Sequence, residues 1–136
     1  MKPTLSHTAA IALAGLLCIA CTATTAKDRA PSAAYPKALQ GIWLGEGREY
    51  CKRADSLDSD SRFEITAQKR TGYEDWNEPL SVAQISKSPQ AWKIVSNLYI
   101  NEEPMRIEEV FLLSGQDNGA LTVVSSGHTM TYYRCP

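Results

Sequence analysis

Two cysteines, Cys51 and Cys135, constrain this 136-residue chain more than any other feature, because they are the two that remain once its N-terminal leader is set aside. Residues 1–26 have the layout of an export signal. Lys2 is their only charged side chain apart from His7 when protonated, residues 9–20 (AAIALAGLLCIA) form an unbroken apolar run, and small residues (CTATTA) follow at 21–26. Twelve apolar residues fall short of the roughly 20 that a helix needs to cross a hydrocarbon layer of about 30 Å. An export signal is therefore expected, with a buried helix of the folded domain as the alternative. Thr24 and Ala26 supply small residues for cleavage ahead of Lys27, the preferred reading. Cys21 is the candidate for lipidation, since Ile19-Ala20-Cys21 suits lipoprotein processing, although Cys18 stands where leucine is usual. In an oxidising compartment Cys51 and Cys135 are expected to pair, the alternative being two buried thiols. A loop of that length is worth about 4.5 kcal/mol in the chain-entropy model, comparable with the whole net stability of a domain of about 100 residues.

Removal of Lys2 with the leader takes the 14 basic residues to 13 against 15 acidic ones, a formal charge of −2. Lysine and arginine are scattered among the acids with no basic block, so nucleic acid is not an expected partner. Residues 27–38 (KDRAPSAAYPKA) hold two prolines and no apolar periodicity, and read as an extended leader ahead of one domain over residues 39–136. From there the segments are short and the punctuation frequent. Ile42-Trp43-Leu44 opens a first strand, bent after it by Gly45 and Gly47, and residues 54–61 form a polar loop. Phe63, Ile65 and Ala67 alternate with polar residues, the period of a half-buried strand. Leu80, Val82 and Ile85 mark another strand, ended by Lys87-Ser88-Pro89, and Trp92, Ile94, Ser96, Leu98 and Ile100 share one face of the next, which Glu102-Glu103-Pro104 breaks. Residues 105–113 (MRIEEVFLL) are ambiguous, with Ile107 and Val110 favouring strand over helix. Asn118-Gly119 is the strongest hairpin signal, Ser126-Gly127 turns again, and residues 129–135 form the last strand.

Seven or eight sequential antiparallel strands form either a sandwich or a closed barrel. A Cys51–Cys135 bridge requires Cα atoms within about 7 Å, which places the first and last strands side by side. A small all-β, up-and-down barrel is therefore expected, with a β-sandwich as the alternative.

Gly41-Ile42-Trp43 resembles the Gly-x-Trp signature of the calycin superfamily, which includes the lipocalins. The resemblance implies that Trp43 caps one barrel end and that Arg134, from the closing strand, packs over its ring. It extends from about residue 39 to 135 and is nearest to small secreted, lipocalin-like proteins of Gram-negative bacteria. A narrower likeness is to the periplasmic inhibitors of secreted zinc metalloproteases, which share the Gly-x-Trp and a cysteine soon after it, here Cys51. Those inhibitors block the protease with a segment ahead of the barrel, where residues 27–38 lie here. Their second cysteine is mid-chain, whereas here it is Cys135.

Catalytic chemistry has little to stand on. His128 is the one histidine beyond the leader, sits in a Ser-Ser-Gly-His turn, and reads as a solvent-facing residue rather than a general base. Asp55, Asp58 and Asp60 lack the ordered ligand positions of a calcium loop. Glu102-Glu103 and Glu108-Glu109 read as surface charge rather than paired catalytic carboxylates. Tyr73 and Trp76, in a polar stretch (GYEDWNE), are the candidate binding surface, an exposed aromatic pair able to stack on a sugar or anchor a protein. No catalytic residue, metal or cofactor is expected. The leading expectation is an exported, monomeric binding module for a protein or small amphipathic ligand, in concrete form an inhibitor of a secreted or periplasmic hydrolase. The alternatives are a lipid-anchored envelope component, in contact with membrane only through Cys21, and an unrecognised hydrolase.

Overall fold

The computed structural model describes residues 33–53, 58–101 and 103–136, so the expected export signal, Cys21, Asp55 and Glu102 lie outside the described residues. Eight strands follow in chain order: β1 (Gly41–Leu44), β2 (Arg62–Ile65), β3 (Arg70–Thr71), β4 (Trp76–Lys87), β5 (Gln90–Ile100), β6 (Glu103–Ser114), β7 (Ala120–Ser125) and β8 (His128–Arg134). Each is antiparallel to the next, and β1 pairs with β8 to close the barrel. Closure leaves no sheet edge, and the sandwich alternative is set aside.

The closing seam is short, with only Trp43↔Arg134 and Leu44↔Tyr133 in register. Two further ties hold it. The Cys135 amide donates to the Ile42 carbonyl at 2.9 Å, and a disulfide joins Cys51 to Cys135 with Cα atoms 5.5 Å apart. Cys51 is carried there by a 3-10 turn, Arg48–Lys52, that leaves β1.

Period-2 alternation sorts the side chains. On β5, Trp92, Ile94 and Ser96 are buried while Lys93 is exposed. β2 does the same with Phe63 and Ile65 inward and Glu64 outward. The interior is filled: Trp43, Tyr35, Phe111, Leu39, Ile65, Ile94, Leu113 and Leu121 are fully buried, with Phe63, Trp92 and Val123 packed against them. Each such side chain contributes about 1.5–3 kcal/mol of burial.

Four details depart from the sequence expectations. Leu80 and Ile85 face solvent, 45% and 56% exposed, because β4 bulges at both. The register against β5 slips between Pro79 and Ser81 and between Gln84 and Ser86. Each extra residue flips the parity of the strand, so Asn77, Pro79 and Val82 face inward instead. Pro104 does not end pairing but lies inside β6, opposite Tyr99. At the β6–β7 turn, the left-handed residues are Asp117 and Asn118 (φ 57° and 54°), not Gly119 (φ −81°). At 119 the Arg48 guanidinium lies where a Cβ would stand, so a larger residue there would displace that side chain. Finally, the packed domain begins before Leu39. Tyr35 is 1% exposed in the core and its amide donates to the Ala67 carbonyl at 2.8 Å, so the described part of the expected leader is built into the barrel.

Candidate functional site

The two ends of the barrel are finished differently. At the first, Trp43 is fully buried and its Nε1 donates to the Leu39 carbonyl at 2.8 Å. The Arg134 guanidinium lies 4.1 Å from the indole centroid and donates to the carbonyls of Gln40 (2.6 Å) and Ala38 (2.5 Å). One cation thus covers the aromatic plug and ties down the chain that enters β1. The glycine of Gly41-Ile42-Trp43 has a physical reason: its φ is +128°, and a Cβ would stand 3.0 Å from Arg134 Nη1, so the residue yields both the backbone angle and the space.

At the opposite end the barrel opens into a mouth of about 190 Å³. Phe63 and Tyr132 meet edge to face at 4.6 Å on one wall, and Val123 and Met130 continue it. Its floor is polar. Arg70, placed inward by the pairing of β3 with β2 and β4, donates through Nε to Asn77 Oδ1 (3.0 Å) and through Nη1 to Glu109 Oε1 (3.1 Å). Its guanidinium also lies 5.6 Å from the ring centroids of both Phe63 and Phe111. Asn77, fully buried, passes the network on to Ser96 Oγ at 3.2 Å.

The network is incomplete. Glu109 is 4% exposed, and its Oε2 has no hydrogen-bond partner among the described residues; the buried Tyr35 hydroxyl has no more than a weak interaction with Ser96. Burial pushes the Glu109 carboxyl above its usual range, against the pull of Arg70 and with a smaller push from Asp75. Burial likewise raises the Tyr35 phenol to about 12, again opposed by Arg70. A buried acceptor without a donor costs roughly 1–3 kcal/mol, and Glu109, which carries one, is among the residues that line the mouth.

The residues singled out from the sequence scatter around this frame. Tyr73 is 60% exposed, on a rim groove shared with Asp60, Glu74, Asp75 and Ile100. Trp76 makes no pair with it: it lies on β4, stacks on Tyr99 at 5.0 Å with an interplanar angle of 6°, and carries Lys69 Nζ 4.7 Å above its ring. The expected Tyr73–Trp76 pair is thus two separate features, because Trp76 is drawn into the ladder against β5. His128 faces the mouth rim opposite Ser125; among the described residues its ring makes no hydrogen bond. Asp58 and Asp60 are exposed, and no three His, Cys, Asp or Glu among the described residues gather to hold a metal.

The reading of Glu108-Glu109 as surface charge holds for only one of the two. Glu108 is exposed and pairs with Lys93 at 2.8 Å, whereas Glu109 points inward. The signal was present in the parity of residues 107, 109, 111 and 113. Arg70 and Asn77 were missed altogether: β3 has two residues, too few to show a period. Compared with known families, characterised proteins and solved structures, the chain matches nothing.

Proposed function

We propose that this chain is an exported binding module of the cell envelope that engages a protein partner through its open end, in its most concrete form as an inhibitor of a secreted or periplasmic hydrolase. The observation that carries this reading is the filled interior. The mouth, about 190 Å³, is smaller than the roughly 300–1,000 Å³ of ordinary small-molecule sites, so an amphipathic ligand has no calyx to enter. It is large enough for one side chain of a partner, with the rim aromatics around it. Tyr35, within the expected leader, is buried in the barrel core, which favours the rim over a leader that blocks the target. The rival hydrolase reading has one cross-strand pair, Ser125 and His128, with no hydrogen bond between them.

Capture of partners from envelope extract tests the proposal, with the native chain, Met130→Arg to fill the mouth, and a form lacking residues 27–32. Met130 is half exposed on the rim, so the substitution leaves the core intact. Met130→Arg should lose the captured partner at least tenfold while the shortened form keeps it. The reverse pattern would return the function to the leader.

A further inference from the structure

The free oxygen on Glu109 specifies what the mouth accepts. Three observations bear on it. Glu109 has one oxygen engaged by Arg70 at 3.1 Å and the other without a partner, on a side chain only 4% exposed. A group that donates to it once is therefore accommodated, whereas a guanidinium would use only one arm of its fork there, so a compact single donor is the better match. The formal charges around the mouth are those of Asp60, Asp75 and Glu109 against Arg62 and Arg70, one negative charge in excess, which favours a single incoming cation. The walls are apolar between rim and floor, through Met130, Tyr132 and Phe63, and the space, about 190 Å³, is on the order of six waters at about 30 Å³ each. A straight aliphatic stem with a compact charged tip matches that profile.

We propose that the mouth is a recognition site for a primary ammonium group, presented as the lysine side chain of a protein partner, whose Nζ donates to Glu109 Oε2 while its methylenes lie against Met130, Tyr132 and Phe63. The proposal rests on the mouth being the binding surface, as proposed above, and adds the chemistry that it selects. Arg70 is the positioning residue: it holds Glu109 by one oxygen and leaves the other without a partner among the described residues. A primary ammonium also occurs on free amines, and the protein-borne source is preferred because the rim around the mouth offers a wide surface with Tyr73 exposed on it, which a free amine would leave unused.

The test uses the chain as isolated from cells, with the Met130 methyl and Tyr132 ring followed by NMR. Nα-acetyl-lysine amide should shift both resonances with saturation. The arginine and Nζ-acetyl-lysine counterparts should bind at least tenfold more weakly. Glu109→Gln should weaken the lysine probe at least tenfold, and its folding is checked independently by the dispersion of the spectrum. Arg70→Lys, which keeps the charge but not the fork, gives a second variant should the first lose its fold, and should weaken lysine binding severalfold. Equal binding of arginine and lysine probes, or of the Nζ-acetylated probe, overturns the proposal. Binding of 1,5-diaminopentane tighter than that of a lysine-containing pentapeptide overturns the protein-borne source. Acetylating the lysines of a captured partner separates this idea from the function on which it rests. If capture depends on Met130 yet survives acetylation, the ammonium proposal fails and the binding-module reading stands; if capture ignores Met130, that reading fails as well.

Discussion

Both ends of this barrel place an arginine against aromatic rings, and they differ in what the guanidinium does with its remaining donors. At the sealed end, Arg134 covers Trp43 and uses its fork on two backbone carbonyls, at residues 38 and 40. Those carbonyls belong to the chain being closed, so the arrangement consumes its own hydrogen-bonding capacity. At the open end, Arg70 lies against Phe63 and Phe111 and uses its fork on side chains. One of these, Glu109, has a second oxygen that nothing inside the barrel reaches. The same cation–aromatic device is a closed lock when its partners are main chain and an open network when one of them is a carboxylate with an oxygen to spare. Fully satisfied buried polar networks rigidify a core, and an unpaired member of one is costly.

The largest effect expected from disturbing the sealed end comes from its covalent tie. Replacing Cys51 and Cys135 together by serine should remove about 4.5 kcal/mol, the chain-entropy value for this loop, and lower the melting temperature by roughly 20 °C or more. The two-pair seam between β1 and β8 gives little else to hold closure. A calorimetric loss below about 1 kcal/mol would mean that the sealed end is held by packing alone. Next comes the lock itself. Arg134→Ala removes two charge-assisted hydrogen bonds and the contact with Trp43, and should cost roughly 2–4 kcal/mol in denaturant unfolding. Arg134→Lys should recover less than half, because an ammonium cannot span both carbonyls. Full recovery by lysine would reduce the lock to simple charge.

The smallest effect at neutral pH is expected in the core between the two ends. Tyr35→Phe deletes a buried hydroxyl whose interaction with Ser96 is weak, so stability at pH 7 should change by less than about 1 kcal/mol. The difference appears in alkali. The phenol ionises at about 12 in the folded protein against its ordinary value near 10, so the unfolded chain loses its proton first. Native stability therefore falls as pH rises from about 10 to 12, by an amount on the order of 2–3 kcal/mol. Tyr35→Phe should remove most of that fall, leaving the part due to Tyr132, which burial shifts in the same direction. Denaturation midpoints at pH 8 and pH 11.5 measure it; an unchanged alkaline slope would show that the Tyr35 hydroxyl is solvated.

Much of the fold was legible because it follows from local chemistry. Phe63 and Ile65, Trp92 and Ile94, and the Ser126-Gly127 turn declare strands and a hairpin within a few residues of sequence, and the two cysteines declare closure. Legibility fails where tertiary pairing alters the local count. The bulges at Leu80 and Ile85 turn apolar residues outward and bring Asn77 inward, and no periodicity in β4 reveals this. The candidate site suffers most, since Arg70, Asn77 and Glu109 come from three separate strands and each alone looks like an ordinary surface residue.

The amino-acid sequence by itself determined the all-β class, the order of the strands and the pairing of Cys51 with Cys135, because alternation, turn residues and cysteine number act over short range or by elimination. Only the tertiary structure decided which charged residues are buried and which buried oxygen is left without a donor. Burial of Glu109 beside an exposed Glu108 depends on the parity of β6 against both neighbouring strands, and a missing hydrogen bond is a property of everything around an atom, which no stretch of sequence contains.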